Sequence, residues 1–286
     1  MKRAANRMAR QAAPVMAVLM AMAWARVCMA DAASDFAKIH WTVGPASVPL
    51  GSVATLNVPA GYRFTDATGA LIWARLTQNP PGGELGVLVP PEDSGKEWFM
   101  SFEFDDMGYV KDDDKLDGSA AAAILQSVRD ATEASNEQRR RNGWETMTVV
   151  GWEKAPFYDP TTHFLTWAIH GRSSGGSESV NYDSRVLGRR GVMKVTLVDD
   201  PGAIEATVPT YNALVASIAF KPGETYAEFR SGDKVAKYGL VGLITGGAAV
   251  VAVKFWKPLM KLGAVAVAAV AGLLAKIKNM FKRKKA

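Results

Sequence analysis

From Val235 to Val253 the chain runs for nineteen residues with Lys237 as its single charge, and nine lysines and arginines follow without one acid. As a helix such a run is about 28 Å long at ~1.5 Å per residue, close to the hydrocarbon thickness of a bilayer. An apolar stretch of this length has to be kept from water, which constrains everything ahead of it. The expected layout is a signal peptide over 1–30, an exported domain over 31–233, a membrane anchor over 234–275 and a basic cytoplasmic tail over 276–286.

The leader carries Lys2, Arg3, Arg7 and Arg10, then the apolar run Ala12–Ala25, then Cys28-Met29-Ala30 with small residues where a signal peptidase inspects them. The run is shorter than the ~20 residues a spanning helix needs, so cleavage before Asp31 is expected rather than retention. Cys28 is the chain's only cysteine, so the exported domain must hold its fold without disulfides.

Charge divides along the same boundaries. Taking the five bases of the leader and the nine after Val253 from the total of 34 leaves 20 bases against 28 acids, a net charge of −8 for residues 31–253. A nucleic-acid-binding domain needs a basic footprint, and this one is acidic. No nucleic-acid partner is expected.

A single span after an exported domain puts the basic tail in the cytoplasm, in line with the positive-inside bias. A second apolar run, Leu262–Ala275, is short and alanine-rich, and if it also spanned, the cluster Lys276–Lys285 would emerge outside. One span over 235–253 plus an in-leaflet segment over 262–275 is preferred to a helical hairpin. The tail could hold anionic lipid at about 1 kcal/mol per basic residue. Gly239, Gly242 and Gly246 share one helix face and make a possible helix-pairing face for a homodimer, although glycine is common in membrane helices anyway.

Within the domain both periodicities occur. Ala46–Val58 alternates around Gly51 as strand, turn and strand; Asp66 caps a helix to about Gln78; Leu85–Val89 and Trp98–Phe104 are strands. In the latter, Trp98, Met100, Phe102 and Phe104 share a face. Asp117 or Ser119 starts the longest helix, which stops at Asn142-Gly143. Strands follow over Trp144–Glu153, His163–His170, Ser179–Gly188 and Val192–Val198, then a helix from Pro201 to about Ser217 and a short strand Ile218–Phe220. Short turns between sequential strands predict an α+β fold: a largely antiparallel sheet with about three covering helices, followed by a C-terminal transmembrane helix. Thr225–Asp233 reads as a polar link to the membrane.

Several segments together resemble a family of uncharacterised bacterial membrane-anchored proteins, domain of unknown function 2167. They are Asn57–Phe64, the Asn79-Pro80 break, Phe102–Asp105 with Gly108-Tyr109-Val110, Gly151-Trp152, Tyr158-Asp159, Val180-Asn181-Tyr182 leading to Arg185–Arg189, and Gly232–Leu240. The resemblance implies an exported domain with a C-terminal anchor and assigns no catalytic residue.

Candidate chemistry is sparse. The acids Asp105, Asp106, Asp112, Asp113, Asp114 and Asp117 could hold calcium, but counted from Asp113 as an EF-hand loop, Lys115 stands where an acid belongs and Ile124 where the terminal glutamate belongs. A solvated turn ahead of a helix whose N-terminus favours carboxylates is the preferred reading. His163 and His170 are seven apart on a predicted strand and face opposite ways, so they cannot share a metal. No cofactor motif is present. Trp152, Tyr158, Tyr182, Arg185 and Arg189 could line a ligand groove, since aromatic and arginine side chains favour carboxylate or glycan ligands; such residues also brace strands.

The expected function is therefore a non-enzymatic module of the bacterial inner membrane, its domain in the periplasm, acting through a protein or envelope partner. The alternative is a periplasmic enzyme on a cell-wall or glycan substrate using carboxylates such as Asp105 and Asp112. Mass spectrometry of the mature protein is expected to find Asp31 at its N-terminus, and the product should stay with membranes through a carbonate wash.

Overall fold

The computed structural model describes residues 34–80 and 82–245. The leader, Gly246, the remainder of the expected span, the segment 262–275 and the tail 276–286 lie outside the described residues.

Two antiparallel sheets carry the fold. The larger has eight strands in the order β1-β4-β5-β6-β10-β9-β8-β7, and the smaller has three in the order β11-β3-β2. In chain order the strands are β1 (Thr42–Val43), β2 (Ala46–Leu50), β3 (Ala54–Val58), β4 (Arg63–Asp66), β5 (Glu84–Val89), β6 (Phe99–Asp105), β7 (Met147–Asp159), β8 (Phe164–Ser173), β9 (Glu178–Leu187), β10 (Val192–Asp199) and β11 (Ile218–Phe220). The helices are α1 (Ala67–Leu76), α2 (Gly118–Arg141), α3 (Ile204–Ala216) and the short α4 (Leu240–Thr245). The α+β, largely antiparallel expectation therefore describes this chain.

Alternation decides what each face of the large sheet meets. Met100 and Phe102 on β6, Val195 and Leu197 on β10, and Val180, Tyr182 and Val186 on β9 point to one side, where the small sheet and Ile204, Tyr211, Leu214 and Val215 of α3 bury them in the main core. Phe99, Ser101 and Glu103, then Lys194, Thr196 and Val198, point to the other side. That side carries α1 over β5 and α2 along β7.

Local chemistry sets these elements. Asp66 accepts from the amides of Thr68 and Gly69 and caps α1; Asp117 accepts from those of Ser119 and Ala120 and caps α2. Gly143, at φ 69°, takes the left-handed position that ends α2. β7 is an edge strand, and α2 closes it with side chains. Buried Asn136 both accepts from the Met147 amide (2.8 Å) and donates to its carbonyl (2.9 Å), standing in for a neighbouring strand. Arg129 donates to the Val150 carbonyl and the Trp152 indole to that of Ala121.

The structure corrects the C-terminal expectation. Thr225–Asp233 is no free link, and Val235 begins no helix. The Glu228 carboxylate accepts from the Gly223 and Thr225 amides and the Thr225 hydroxyl. Arg189 grips Asp233 through Nε (2.7 Å) and Nη2 (2.8 Å). Thr225–Thr245 thus forms a strap along the domain, and Tyr109 exchanges bonds with it, its amide donating to the Lys234 carbonyl and its carbonyl accepting from the Ala236 amide, both at 2.8 Å. The helix starts only at Leu240, where Asp114 accepts from the Val241 amide. Leu240, Leu243 and Ile244 are buried with Val110, Ile124, Leu165, Trp167, Leu187, Val192 and Tyr226 in a second core. Among the described residues no helix is long and apolar enough to cross a membrane. Leu240, Leu243 and Ile244, at this end of the expected span, pack against protein, a feature hydropathy does not report.

Leu240 is 1% exposed in that core. Leu240→Ala should lower the unfolding free energy of the domain by about 2–4 kcal/mol in urea titrations, the usual effect of deleting a buried leucine side chain.

Candidate functional site

The helix-bearing face is wider than its helices. Between β5 and β7 lie five inter-strand steps of about 4.8 Å, some 24 Å in all, whereas two helices of about 10–12 Å diameter sit at its two ends. About one helix width of sheet between them stays uncovered. A cavity of about 700 Å³ occupies this gap, floored by Ile169, Asn181, Asp183 and Val198 and walled by α2 through Val128, Ala131 and Ser135. A smaller cavity of about 220 Å³ continues it beneath α1, past Trp73. Thr77, Asn79, Pro80, Phe99, Asn181 and Val198 line both. Ile244 and Thr245, the last described residues of the strap, also line the larger one.

The floor is polar in an ordered way. Asp183 is 8% exposed, and its Oδ1 accepts from Thr196 Oγ1 (2.7 Å) and Arg185 Nη1 (3.2 Å). The Arg185 guanidinium lies 4.5 Å from the Trp167 ring centroid, a cation–π contact in a mostly dry setting, and its Nε has no partner. Lys194 sits between Glu103 (2.9 Å) and Asp105 (3.3 Å).

The expected ligand residues are not brought together here. Tyr182 points to the opposite face, buried in the main core, where its hydroxyl accepts from Lys154. Trp152 fastens β7 to α2, and Arg189 holds Asp233. Of the five, Arg185 alone neighbours the groove floor, through Asp183. The residues missed were Asp183 and Thr196, and β9 did carry a signal for them. In Asn181-Tyr182-Asp183-Ser184-Arg185 every second residue is polar and ionisable or amide, in a strand with neighbours on both sides, which marks a face left for something other than core.

Tyr158 belongs to another cluster. Its hydroxyl donates to Asp112 Oδ2 (2.7 Å) and stands 3.0 Å from Nδ1 of His163. Burial, then the bond to Asp112, pushes the Tyr158 hydroxyl well above the usual tyrosine range. One phenolic proton serves one acceptor, so with Asp112 taking it, Nδ1 of His163 bonds the tyrosine oxygen as a donor. His163 takes a left-handed backbone, φ 57°, outside the strand expected to contain it, and its ring packs 4.3 Å from that of Tyr226.

The acidic run disperses into separate tasks. Asp105 pairs with Lys194, Asp106 with Arg190, Asp112 with Tyr158 and Asp114 with α4, while Asp117 caps α2. His170 bonds Glu178 at 3.1 Å. Among the described residues no three histidine, cysteine or carboxylate groups gather as metal ligands. Gly239 faces the Asp114 carboxylate, where an added Cβ would come within 2.7 Å, and Gly242 faces the Tyr238 ring. Both glycines thus allow close packing inside this domain.

Three comparisons bear on identity. A family model described as "Protein of unknown function (DUF2167)" matches residues 42–285, and the chain belongs to that family. No curated protein matches it in sequence. Among solved structures, the cyanobacterial PsbP (CyanoP) of Synechocystis sp. PCC 6803 aligns with a TM-score of 0.38 at 14% identity, over 63% of this chain and 95% of that one. The Saccharomyces cerevisiae Ran-binding protein Mog1p aligns with a TM-score of 0.32 at 12% identity, over 68% of this chain and 100% of that one. At these values neither likeness carries an argument about this chain.

The strap that reaches the groove has a pH signature. The Arg189 side chain, then the Arg230 amide, lowers the Asp233 carboxyl from 3.8 to about 2. A carboxyl depressed in the folded state contributes stability that is present above its unfolded value and lost as pH falls through its folded one. Protection of the Tyr109 and Ala236 amides against hydrogen exchange, taken relative to the intrinsic rate at each pH, should therefore fall between about pH 4 and pH 2. In Asp233→Asn that protection should already be lower at pH 7, with little further change on acidification.

Proposed function

Starting from membership of a family of unknown function, we propose that this chain is a non-enzymatic binding module of the bacterial cell envelope. Its groove between α1 and α2 takes a partner segment, the domain lies in the periplasm, and the C-terminal region holds it to the inner membrane. The observation that carries this is the ~700 Å³ opening over a polar sheet face, a volume within the usual range of ligand sites. The net charge of −8 over 31–253, the basic tail and the leader support export and anchoring. Lipid contact by the tail and a homodimer through the apolar helix belong to the same proposal.

The strap supports a specific arrangement. Because Ile244 and Thr245 line the groove and Arg189–Asp233 fixes the segment before them, anything bound there touches the chain where it heads into its apolar run. The second reading, an enzyme acting through carboxylates, is favoured by the Asp112–Tyr158–His163 row alone.

A photoreactive amino acid at Ser135, on the groove wall, should capture a partner in intact cells, while the same probe at exposed Phe157 on β7 should not. Ala131→Trp, which fills the groove from an exposed helix position, should abolish capture without lowering the melting temperature. Recovery of unpartnered monomer from the Ser135 probe defeats the binding reading. Loss of cell-wall hydrolysis by purified protein on Asp112→Asn, with capture intact, would favour the enzyme.

A further inference from the structure

We propose that the ligand of this groove is an extended peptide bearing lysine or arginine side chains, with a cationic nitrogen seated on Asp183. The inference rests on the binding reading above and names its ligand class.

Three observations converge on it. First, Asp183 is buried and lies on the cavity floor, yet both of its hydrogen bonds end on Oδ1. Oδ2 keeps no protein donor among the described residues and is not among the sealed, unpartnered atoms, so it opens toward the cavity. A carboxylate in this setting gains most from a donor that carries charge.

Second, the charges around the opening are unbalanced. Glu84, Glu103, Glu145, Glu178 and Asp183 line it, against Arg139 as the one cationic lining side chain among the described residues. Counting also Arg172, Arg185 and Lys194, which pair with these acids, and Asp105, which shares Lys194, gives six carboxylates to four cations. The surplus is two negative charges in a concave, partly dry site, where they are felt more strongly than on open surface.

Third, the walls suit an alkyl stem. Val128, Ala131, Val149, Ile169 and Val198 present apolar surface to the cavity. A lysine or arginine buries its methylenes along such surface while its head finds charge.

The test uses the full-length protein in detergent micelles and fluorescence anisotropy. The probes are a labelled alternating Lys-Ala heptapeptide, the same peptide with Met or Glu for Lys, and spermine as competitor. The Lys peptide is expected to bind, more weakly as salt rises, and the Met and Glu peptides to bind at least about tenfold more weakly. Asp183→Asn should cost the Lys peptide about tenfold or more. Glu145→Gln, at an exposed position, should cost a few-fold and keeps the test alive if the floor variant unfolds. Equal binding of the Met peptide, no binding of the Lys peptide, or unchanged affinity in Glu145→Gln together with a folded Asp183→Asn overturns the proposal. Displacement by spermine at matched concentration would reassign the site to a free polyamine and overturn the peptide. Ala131→Trp separates the two levels: if it abolishes cellular capture while no Lys peptide binds, the groove reading stands and the ligand class falls. If the Lys peptide binds unaffected by that variant, the groove itself is the error.

Discussion

A sheet of eight strands has two faces, and the apolar side chains on each must be covered by something other than water. On one face the requirement is met outright: the small sheet and α3 lay a continuous apolar layer against Met100, Phe102, Val195 and Leu197. On the other, two helices are asked to cover more strands than their diameters reach. The strap Thr225–Thr245 and the open groove are the two consequences of that shortfall. The strap seals the end near Leu165, Trp167 and Leu187, and the groove is the part left unsealed, over residues that are polar because nothing buries them in hydrocarbon.

The strap is held by a chain of polar contacts rather than by apolar burial alone. Glu228 orders its turn, Arg189 pins Asp233 with two hydrogen bonds, Tyr109 pairs with its backbone, and Asp114 meets the first amides of α4. Only after these does the apolar packing of Leu240, Leu243 and Ile244 begin. A bidentate arginine–carboxylate pair has defined geometry, so it sets where the following helix starts. The second core thus joins residues more than a hundred positions apart, with the Tyr226 hydroxyl donating to the Val110 carbonyl as one example.

The same logic divides the polar groups into two sets. Most acids of the run Asp105–Asp117 are consumed by the fold, each with its own partner. Asp183 is different, since it is buried, half-satisfied and turned to a cavity. A buried carboxylate kept in that state costs desolvation, which the Arg185 and Thr196 bonds offset only in part. That imbalance distinguishes the groove floor from an ordinary gap in packing.

Local order was legible in the sequence because it depends on neighbours in the chain. Asp66 and Asp117 as caps, Asn142-Gly143 as a stop, the turn at Gly51 and the shared face of Trp98, Met100, Phe102 and Phe104 all follow from spacings of two to four residues. So did the α+β class and the family. The short β4, the bulged length of β7 and the role of Thr225–Thr245 did not, for they exist only through distant partners: Leu88 opposite Phe64, Asn136 against Met147, Arg189 against Asp233. Apolar periodicity reports that a side chain leaves water and is silent about what receives it. Leu240, Leu243 and Ile244 therefore read as apolar from the chain alone, and only the tertiary structure shows them packed with Ile124 and Trp167.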